Sequence, residues 1–401
     1  MKELVKFEFR KIWTQLTIIS VISLVVVSTA LNFLAYYSNH GGINSDGEII
    51  TGFKAFRIVK NEAKDTRGVM DQGYLDNLVK KFNSSKEKLE HEDKLGNYLT
   101  KYDASNHIAN FANYGKDNFN IYMNLDFDFL KSEKDFYNQY KRSAIDAIQF
   151  DLQKNWFKYT DNQMNKITEK INKIDTPFKV DYYEGISYLI WQYTEQIYFV
   201  IAVVGFALSS LFSKDSNNGI DELTLSSKFG RKKNMNARII AGNIFAVVVY
   251  IIFVGILFIE HGAIGSLQGW NQSIQNVWHT CLYNISLGTG LLIMIGKGLL
   301  STLLVANLVM YISIKVRYSK LATLLSLSSI WLLIRLTYTD NPLQLQLNPM
   351  YYSRVSLGYE VFYFIGDLMI PYTLAFLVLG CVYMIIVRVL TVRQYKRYKL
   401  N

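Results

Sequence analysis

The sequence predicts an α-helical integral membrane protein with six transmembrane helices, an N-terminal amphipathic helix and a mixed α+β, mostly helical extracellular domain. Three observations predict this fold class. Half of the 401 residues are hydrophobic, and they concentrate in six long apolar segments. Basic residues gather in alternate intervals between those segments. One interval, residues 37–185, is too long and too rich in aromatic residues to be a linker.

Crossing about 30 Å of hydrocarbon takes roughly 20 apolar helical residues, and six segments approach or exceed that length. The first is longer than the core of a signal peptide and follows a structured prefix, so we interpret it as an uncleaved anchor. We predict the six spans at residues 16–36, 186–212, 239–259, 291–314, 321–338 and 361–390. A surface helix at 1–15, a loop at 213–238 and a tail at 391–401 are predicted on the cytoplasmic side. A domain at 37–185, a loop at 260–290 and a segment at 339–360 are predicted on the extracellular side.

The distribution of charge predicts the orientation of the chain. Lysine and arginine accumulate in loops that stay in the cytoplasm. They are in excess in the prefix, in the loop 213–238, between the fourth and fifth spans and in the tail, whereas residues 37–185 are close to neutral. The interval 260–290 contains no lysine or arginine. We therefore expect both termini inside the cell. The net charge of +10 then reflects membrane orientation, and we expect no nucleic-acid partner.

The long extracellular interval carries signals of a folded domain. Disordered tracts are poor in aromatic residues, whereas this one is rich in them. Leu75, Leu78, Val79 and Phe82 have helical spacing, Ser84 begins a capping-box pattern, and Ile145, Ile148 and Leu152 suggest a further helix. Residues 119–129 alternate apolar and polar side chains as a strand does, and Phe178, Val180 and Tyr182 repeat this weakly. The aromatic residues suit a core, or a groove for an apolar ligand.

The prefix MKELVKFEFRKIW predicts an amphipathic helix. Val5, Phe9 and Ile12 share one helical face with Trp13 beside it, and basic residues interleave. Such a helix lies in the membrane surface. The alternative is a simple extension of the first span.

The polar loop between the second and third spans predicts one short helix. Asp221 and Glu222 sit where a helix N-terminus favours acidic side chains, Leu223, Leu225 and Phe229 supply apolar surface, and Gly230 precedes three basic residues. An ordinary solvated loop is the alternative.

This layout resembles the permease subunits of ABC exporters of the ABC-2 type. The resemblance rests on the prefix helix, the six spans and the loop, where such permeases carry a degenerate motif. The matching positions here are Phe212, Ser213, Asp215, Gly219, Glu222, Leu223, Leu225, Ser226, Ser227, Gly230 and Arg231. Asp215 stands where glutamate is commoner. The resemblance implies that Asp215, Gly219, Glu222, Leu223, Leu225, Phe229, Gly230 and Arg231 couple the chain to an ATPase, and that residues 339–360 form short re-entrant helices broken by Pro342 and Pro349.

The energy source is expected in another chain. The nearest match to a phosphate-binding loop, Gly290 to Gly298, has the wrong spacing and lacks Ser or Thr after its lysine. The histidines form no paired metal-ligand spacing, and we expect no metal site and no enzyme activity in this chain. Cys281 and Cys381 are too few for a disulfide framework. The resemblance then implies a cytoplasmic ABC ATPase dimer that binds ATP and magnesium, and a second permease chain.

Charged residues at membrane depth indicate functional sites by default. Glu195, Lys297, Arg335 and Asp367 fall within or beside predicted spans. Glu195 and Arg335 can reach the outer interface, whereas Lys297 and Asp367 look deeper. Each of these two could contact cargo or form a structural ion pair between helices.

These signals predict an exporter subunit in a bacterial cell membrane that moves a hydrophobic peptide, an antimicrobial or a lipid-like cargo. Two rivals stay open. A non-transporting sensor or scaffold would bind a ligand with its extracellular domain. A membrane enzyme acting on lipid-linked substrates would bring acidic residues and histidines together at the outer side.

Overall fold

The computed structural model describes residues 1–39, 41–43, 49–62, 64, 67–77, 80, 132–155, 159–182, 184–217, 233–316, 318–339 and 341–396. Six helices in these ranges are long and apolar enough to cross a membrane, which confirms the prediction of a helical membrane protein with six candidate spans. They are α2 (Gln15–Asn39), α6 (Glu184–Leu208), α8 (Met235–Ile264), α9 (Leu287–Lys315), α10 (Ser319–Arg335) and α13 (Tyr372–Lys396).

Helix α9 lies at the centre of the membrane bundle. It packs against α6, α8, α10 and α13, and about half of its most apolar stretch is buried. Gly298 of α9 lets the hydroxyls of Tyr193 on α6 and Tyr250 on α8 approach its backbone, and these hydroxyls hydrogen-bond each other at 3.0 Å. Small residues at helix contacts matter in membranes because lipid tails supply no hydrophobic drive for association.

The prefix forms α1 (Lys2–Ile12), which is a separate helix and not an extension of α2. The chain leaves helical geometry at Trp13 and Thr14. The hydroxyl of Thr14 then accepts a hydrogen bond from the backbone amide of Thr17 at 3.2 Å, which satisfies a free donor in the first turn of α2. Helix α1 packs against α8.

The described part of the interval 37–185 contains α3 (Phe53–Glu62), α4 (Glu133–Asn155), α5 (Asp161–Asn172), an antiparallel pair β1 (Gly41–Ile43) and β2 (Ile49–Thr51), and a second pair β3 (Gly68–Val69) and β4 (Lys179–Val180). The helix predicted at Ile145 lies in α4, and residues 72–77 around Leu75 are helical. Phe178, Val180 and Tyr182 are all buried, as their alternation predicted. The predicted strand 119–129 and the capping box at Ser84 lie outside the described residues.

An aromatic cluster forms the core beneath α4. Phe178 meets Tyr137 and Tyr140 edge-on, with ring centroids 5.1 Å and 4.9 Å away. The Tyr137 hydroxyl accepts from the Phe178 amide at 2.8 Å and donates to the Met70 carbonyl at 2.9 Å. Burial raises the pKa of both tyrosines, so both hydroxyls stay protonated and available as donors. These three aromatic residues are therefore part of a hydrophobic core and do not line a ligand groove.

The same core extends onto the loops of the membrane bundle. Leu282, from the loop between α8 and α9, is buried in the cluster with Phe362 from the segment before α13. The Tyr140 hydroxyl donates to the carbonyl of His279 at 2.8 Å. Helix α4 and the segments that precede α9 and α13 thus share one apolar core.

The predicted sixth span is too long at its start. Residues 361–371 were expected to be helical, but they form an antiparallel hairpin of β5 (Phe362–Ile365) and β6 (Leu368–Pro371), and α13 begins at Tyr372. Gly366 takes a positive φ of 57° in the turn, where glycine is favoured. Apolar content alone does not distinguish a helix from a hairpin in this segment. In the hairpin, the side chain of Phe362 is buried in the aromatic core.

Residues 339–360 divide at their prolines as predicted. The short helices α11 (Pro342–Gln346) and α12 (Pro349–Arg354) each begin with proline, which lacks the amide that a first turn leaves unpaired. The side chains of Asn341 and Asn348 cap them by accepting backbone amides. Helix α12 packs against α9.

Candidate functional site

The second candidate span ends in a turn that positions a short helix at the start of the polar loop 213–238. Residues 209–212 leave α6 as turns, and α7 (Ser213–Asn217) follows. The hydroxyl of Ser313 on α9 accepts from the backbone amides of Phe212 at 3.0 Å and Ser213 at 3.3 Å. This arrangement ties the start of α7 to the end of the fourth span and sets the position of Asp215.

Four charged side chains meet beside α7. Arg238, near the start of α8, contacts the carboxylates of Asp215 and Glu8, the latter at 3.4 Å from its Nε. Lys11 of α1 lies 3.4 Å from Glu8 and 3.7 Å from Asp215. We call Glu8, Lys11, Asp215 and Arg238 the ion cluster. It joins α1, α7 and α8, which are far apart in the sequence.

The ion cluster balances two positive charges against two negative ones. Arg238 and Glu8 are almost fully buried, Asp215 is largely buried, and Lys11 reaches solvent. The face of the Phe212 ring lies 5.6 Å from the Arg238 guanidinium, which adds a favourable cation–π contact. Buried charges are tolerated when they are paired, and removal of one partner leaves a costly charge behind. The cluster therefore holds the three elements together while all four members are present.

Asp215 is the one predicted coupling residue that the structure describes. Its carboxylate contacts Arg238 and Lys11 of this chain, a set of partners that the motif did not predict. Gly219, Glu222, Leu223, Leu225, Phe229, Gly230 and Arg231 lie outside the described residues. Their role in coupling stays a prediction.

The predicted membrane-facing side of α1 packs against protein. Ile12 is buried in the core of the membrane bundle, and Val5, Phe9 and Trp13 pack around that core. The rings of Trp13 and Phe245 on α8 meet edge-on at 5.2 Å. A helix is present where the sequence predicted one, but this face of it contacts the neighbouring helix α8.

Lys297 lies deep in the bundle, as its position predicted, with a neighbour from the same chain. Its ammonium donates to the carbonyl of Val355 at 2.6 Å and lies 5.0 Å from the centroid of the Tyr352 ring. This contact attaches α12 and the residue after it to α9. Among the described residues, Lys297 thus binds a backbone carbonyl and not the acidic side chain that the predicted ion pair required.

Glu195 lies near the middle of α6, whereas Arg335 is the last residue of α10. Glu195 pairs with Arg354 of α12, whose guanidinium also donates to the Tyr198 hydroxyl at 3.0 Å. Arg335 is exposed. That these side chains reach the outer interface stays a prediction.

Asp367 lies outside the helix of the sixth candidate span, in which the sequence had placed it. It occupies the turn between β5 and β6, its side chain is 94% exposed, and it pairs with Lys166 of α5. Hydrogen bonding and attraction from that lysine lower the pKa of the carboxyl. The prediction failed because the apolar hairpin strands that flank Asp367 have the hydropathy of a span.

A polar network that was not predicted from the sequence joins α2, α6 and α8. Ser28 donates to Gln196, Gln196 donates to Asn32 at 2.5 Å, and Asn32 donates to Glu260. His261 contacts Gln192 at 2.6 Å. A signal was present, because Ser28 and Asn32, like Gln192 and Gln196, are four residues apart and share a helical face.

No group of three or more histidine, cysteine, aspartate or glutamate side chains in the described residues is arranged to hold a metal ion. Comparisons with family models, with curated proteins and with solved structures found no match for this chain. Its function must therefore be inferred from its own residues and geometry.

Proposed function

We propose that this chain is the permease subunit of an ATP-driven exporter of the ABC-2 type. It would move a hydrophobic peptide, an antimicrobial or a lipid-like cargo out of a bacterial cell. The proposal rests on the resemblance of the loop motif, on six candidate spans, and on a separate helix before the first span. Both termini would be cytoplasmic, as the distribution of lysine and arginine predicts.

The observation that carries the proposal is the ion cluster. Asp215 lies just before residues 218–232 and Arg238 lies just after them, so the contact between the two closes the base of that loop. The same Arg238 contacts Glu8, and Ser313 fixes the turn before α7. A force applied to the loop would therefore reach α1, α6, α8 and α9 together. Coupling between an external ATPase and membrane helices requires such a connection.

The partners follow from what the sequence lacks. It contains no phosphate-binding loop, so ATP and magnesium would be bound by a dimer of cytoplasmic ABC ATPase subunits. Six spans form half of a typical exporter pathway, so a second permease chain, identical or homologous, would complete it. This chain would itself catalyse no reaction and would lie among membrane lipids as a multi-pass protein.

The test is a pull-down from the native membranes, with ATPase activity assayed in the eluate. Wild type is compared with Glu222→Arg/Phe229→Asp, which reverses the charge and removes the apolar surface of the predicted coupling segment. We expect wild type to retain an ATPase and the double variant to lose most of it. A matched control is Glu169→Arg/Leu343→Asp, which makes the same types of change at exposed positions on the predicted extracellular side.

One outcome would overturn the exporter, and another would overturn only its coupling element. If wild type brings down no ATPase activity, the chain is not an exporter subunit of this type. If Glu222→Arg/Phe229→Asp retains as much ATPase as wild type and the control do, the loop is not the contact, and the coupling element lies elsewhere.

A membrane sensor or scaffold is the second candidate, and one observation favours it. The extracellular core includes Leu282 and Phe362, which belong to loops at the outer ends of the spans. A ligand that displaced α4 would therefore move those loops without ATP. Under this alternative, ligand binding would change the protease sensitivity of the cytoplasmic loop in purified protein that contains no ATPase.

A further inference from the structure

A groove opens beside the ion cluster where three candidate spans begin or end. It has a volume of about 940 Å³ and is bounded by the start of α2, the end of α6 with α7, and the start of α10. Pockets that hold small organic molecules commonly have volumes of roughly 300–1,000 Å³. The groove thus has room for a polar headgroup together with the first part of an acyl chain.

The charged rim of the groove is positive. Lys11, Lys214 and Lys320 come from three different elements and are all exposed. The two carboxylates that line the groove, Glu8 and Asp215, are both engaged by Arg238 behind them. Lys214 and Lys320 form no ion pair with any carboxylate of the described residues. Within the part of the chain that the structure describes, these two ammonium groups therefore line the groove without a carboxylate partner.

The hydroxyls of Ser209 and Thr323 line the groove but are already used within the protein. They lie 2.8 Å apart, and they also bond to the carbonyls of Phe206 and Ser319 at 2.7 Å and 3.0 Å. Lysine binds phosphate as a point charge. The lysines are therefore the groups of this groove that suit an anionic phosphate ester.

The walls of the groove are apolar and continue onto surfaces that face outward from the bundle. Leu16 of α2 and Phe206 of α6 line it. Leu16 is 65% exposed, and Leu324, one turn along α10 from Lys320, is 61% exposed. Acyl chains could lie along these two helices while the headgroup stays at the lysines.

We propose that this groove binds one anionic phospholipid of the cytoplasmic leaflet. That leaflet carries acidic lipids, and a lysine near its surface strengthens binding about fivefold. The position of the lysines at helix ends places them at headgroup level, and the apolar walls place the chains in hydrocarbon. The site holds for an exporter and for a sensor alike, because it depends on this chain alone.

The experiment titrates purified full-length protein in neutral detergent with phosphatidylglycerol and, separately, with phosphatidylcholine. Bound lipid is counted by native mass spectrometry. We expect one tightly held phosphatidylglycerol per chain and no equivalent phosphatidylcholine. Lys214→Gln/Lys320→Gln should weaken phosphatidylglycerol binding by about 30-fold, the product of two lysine contributions. Lys214→Arg/Lys320→Arg keeps both charges and should retain most of the affinity.

The control is Lys6→Gln/Lys315→Gln, which removes two exposed basic residues that do not line the groove. Equal weakening in both glutamine variants would mean general surface attraction and would overturn the site. Displacement of phosphatidylglycerol by equimolar inorganic phosphate would show that free phosphate, and not lipid, is recognised. Equal binding of phosphatidylcholine would also overturn the proposal, since the lysines would then give no selectivity for charge.

Discussion

Arg238, near the start of the third candidate span, and Glu8, in the N-terminal helix, form an ion pair inside the protein. The Nε of Arg238 lies 3.4 Å from the Oε2 of Glu8, and their side chains are 2% and 3% exposed. An ion pair at the protein surface contributes little to stability. This pair is buried, and so it makes the N-terminal helix part of the bundle.

We predict that Arg238→Met destabilises the protein by about 3–5 kcal/mol, because Glu8 and Asp215 would remain buried without their shared partner. Thermal unfolding in detergent measures the effect. Arg10→Met removes an exposed arginine of the same helix as Glu8 and should have little effect. The triple variant Glu8→Gln/Asp215→Asn/Arg238→Met should recover much of the loss, since no buried charge remains. Similar stability for Arg238→Met and Arg10→Met would contradict the role of the cluster.

Gly298 and Gly296 of α9 provide a matched pair. A Cβ at position 298 would lie 1.7 Å from the Tyr193 hydroxyl, whereas a Cβ at position 296 meets nothing within 4 Å. We predict that Gly298→Ala costs about 1–3 kcal/mol through overpacking and that Gly296→Ala is neutral or slightly stabilising. The yield and melting temperature of the detergent-solubilised variants test this. Tyr193→Phe should relieve part of the cost of Gly298→Ala, and equal behaviour of the two alanine variants would refute the close contact.

Stability should depend on pH through His279 in the loop between α8 and α9. Burial lowers the pKa of its imidazole from 6.5 to about 4. The unfolded chain then binds a proton at a higher pH than the folded chain does. Stability is therefore full above pH 6.5 and falls by up to ~3 kcal/mol as the pH drops from 6.5 to about 4.

Melting temperatures of wild type and His279→Gln, measured from pH 8 to pH 4, check this prediction. The variant should lose less stability than wild type on acidification, because glutamine does not titrate. Carboxylates titrate in both proteins, so the difference between the two curves isolates the imidazole. Parallel curves would show that His279 does not contribute.

The β5–β6 hairpin should tolerate the loss of the charge of Asp367. It should not tolerate the loss of the buried ring of Phe362. Asp367 is exposed and paired with Lys166, so Asp367→Asn should leave the melting temperature and any transport almost unchanged. Phe362 is buried in the core beneath α4, so Phe362→Ala should cost about 3–5 kcal/mol. Abolition of transport by Asp367→Asn would instead restore the membrane-depth role that the sequence suggested.

The sequence alone was sufficient for the features that depend on local composition. A long apolar run predicts a span because each residue contributes its own transfer free energy, and all six spans were located. Pro342 and Pro349 predicted where residues 339–360 divide, because proline restricts its own backbone. The spacing of Val5, Phe9 and Ile12 predicted an amphipathic helix, and Phe178, Val180 and Tyr182 predicted a half-buried strand.

The tertiary structure decided which surfaces and charges meet. Hydropathy could not show that residues 362–371 pair as strands. The preference for a hairpin over a helix depends on the burial of Phe362 in a core that α4 and β4 form. Nor could it show that the apolar face of α1 meets α8, that Asp367 pairs with Lys166, or that Glu8, Asp215 and Arg238 share one buried site. The type of a side chain predicts whether it will be buried or paired. Which distant residue becomes its partner depends on the fold of the whole chain.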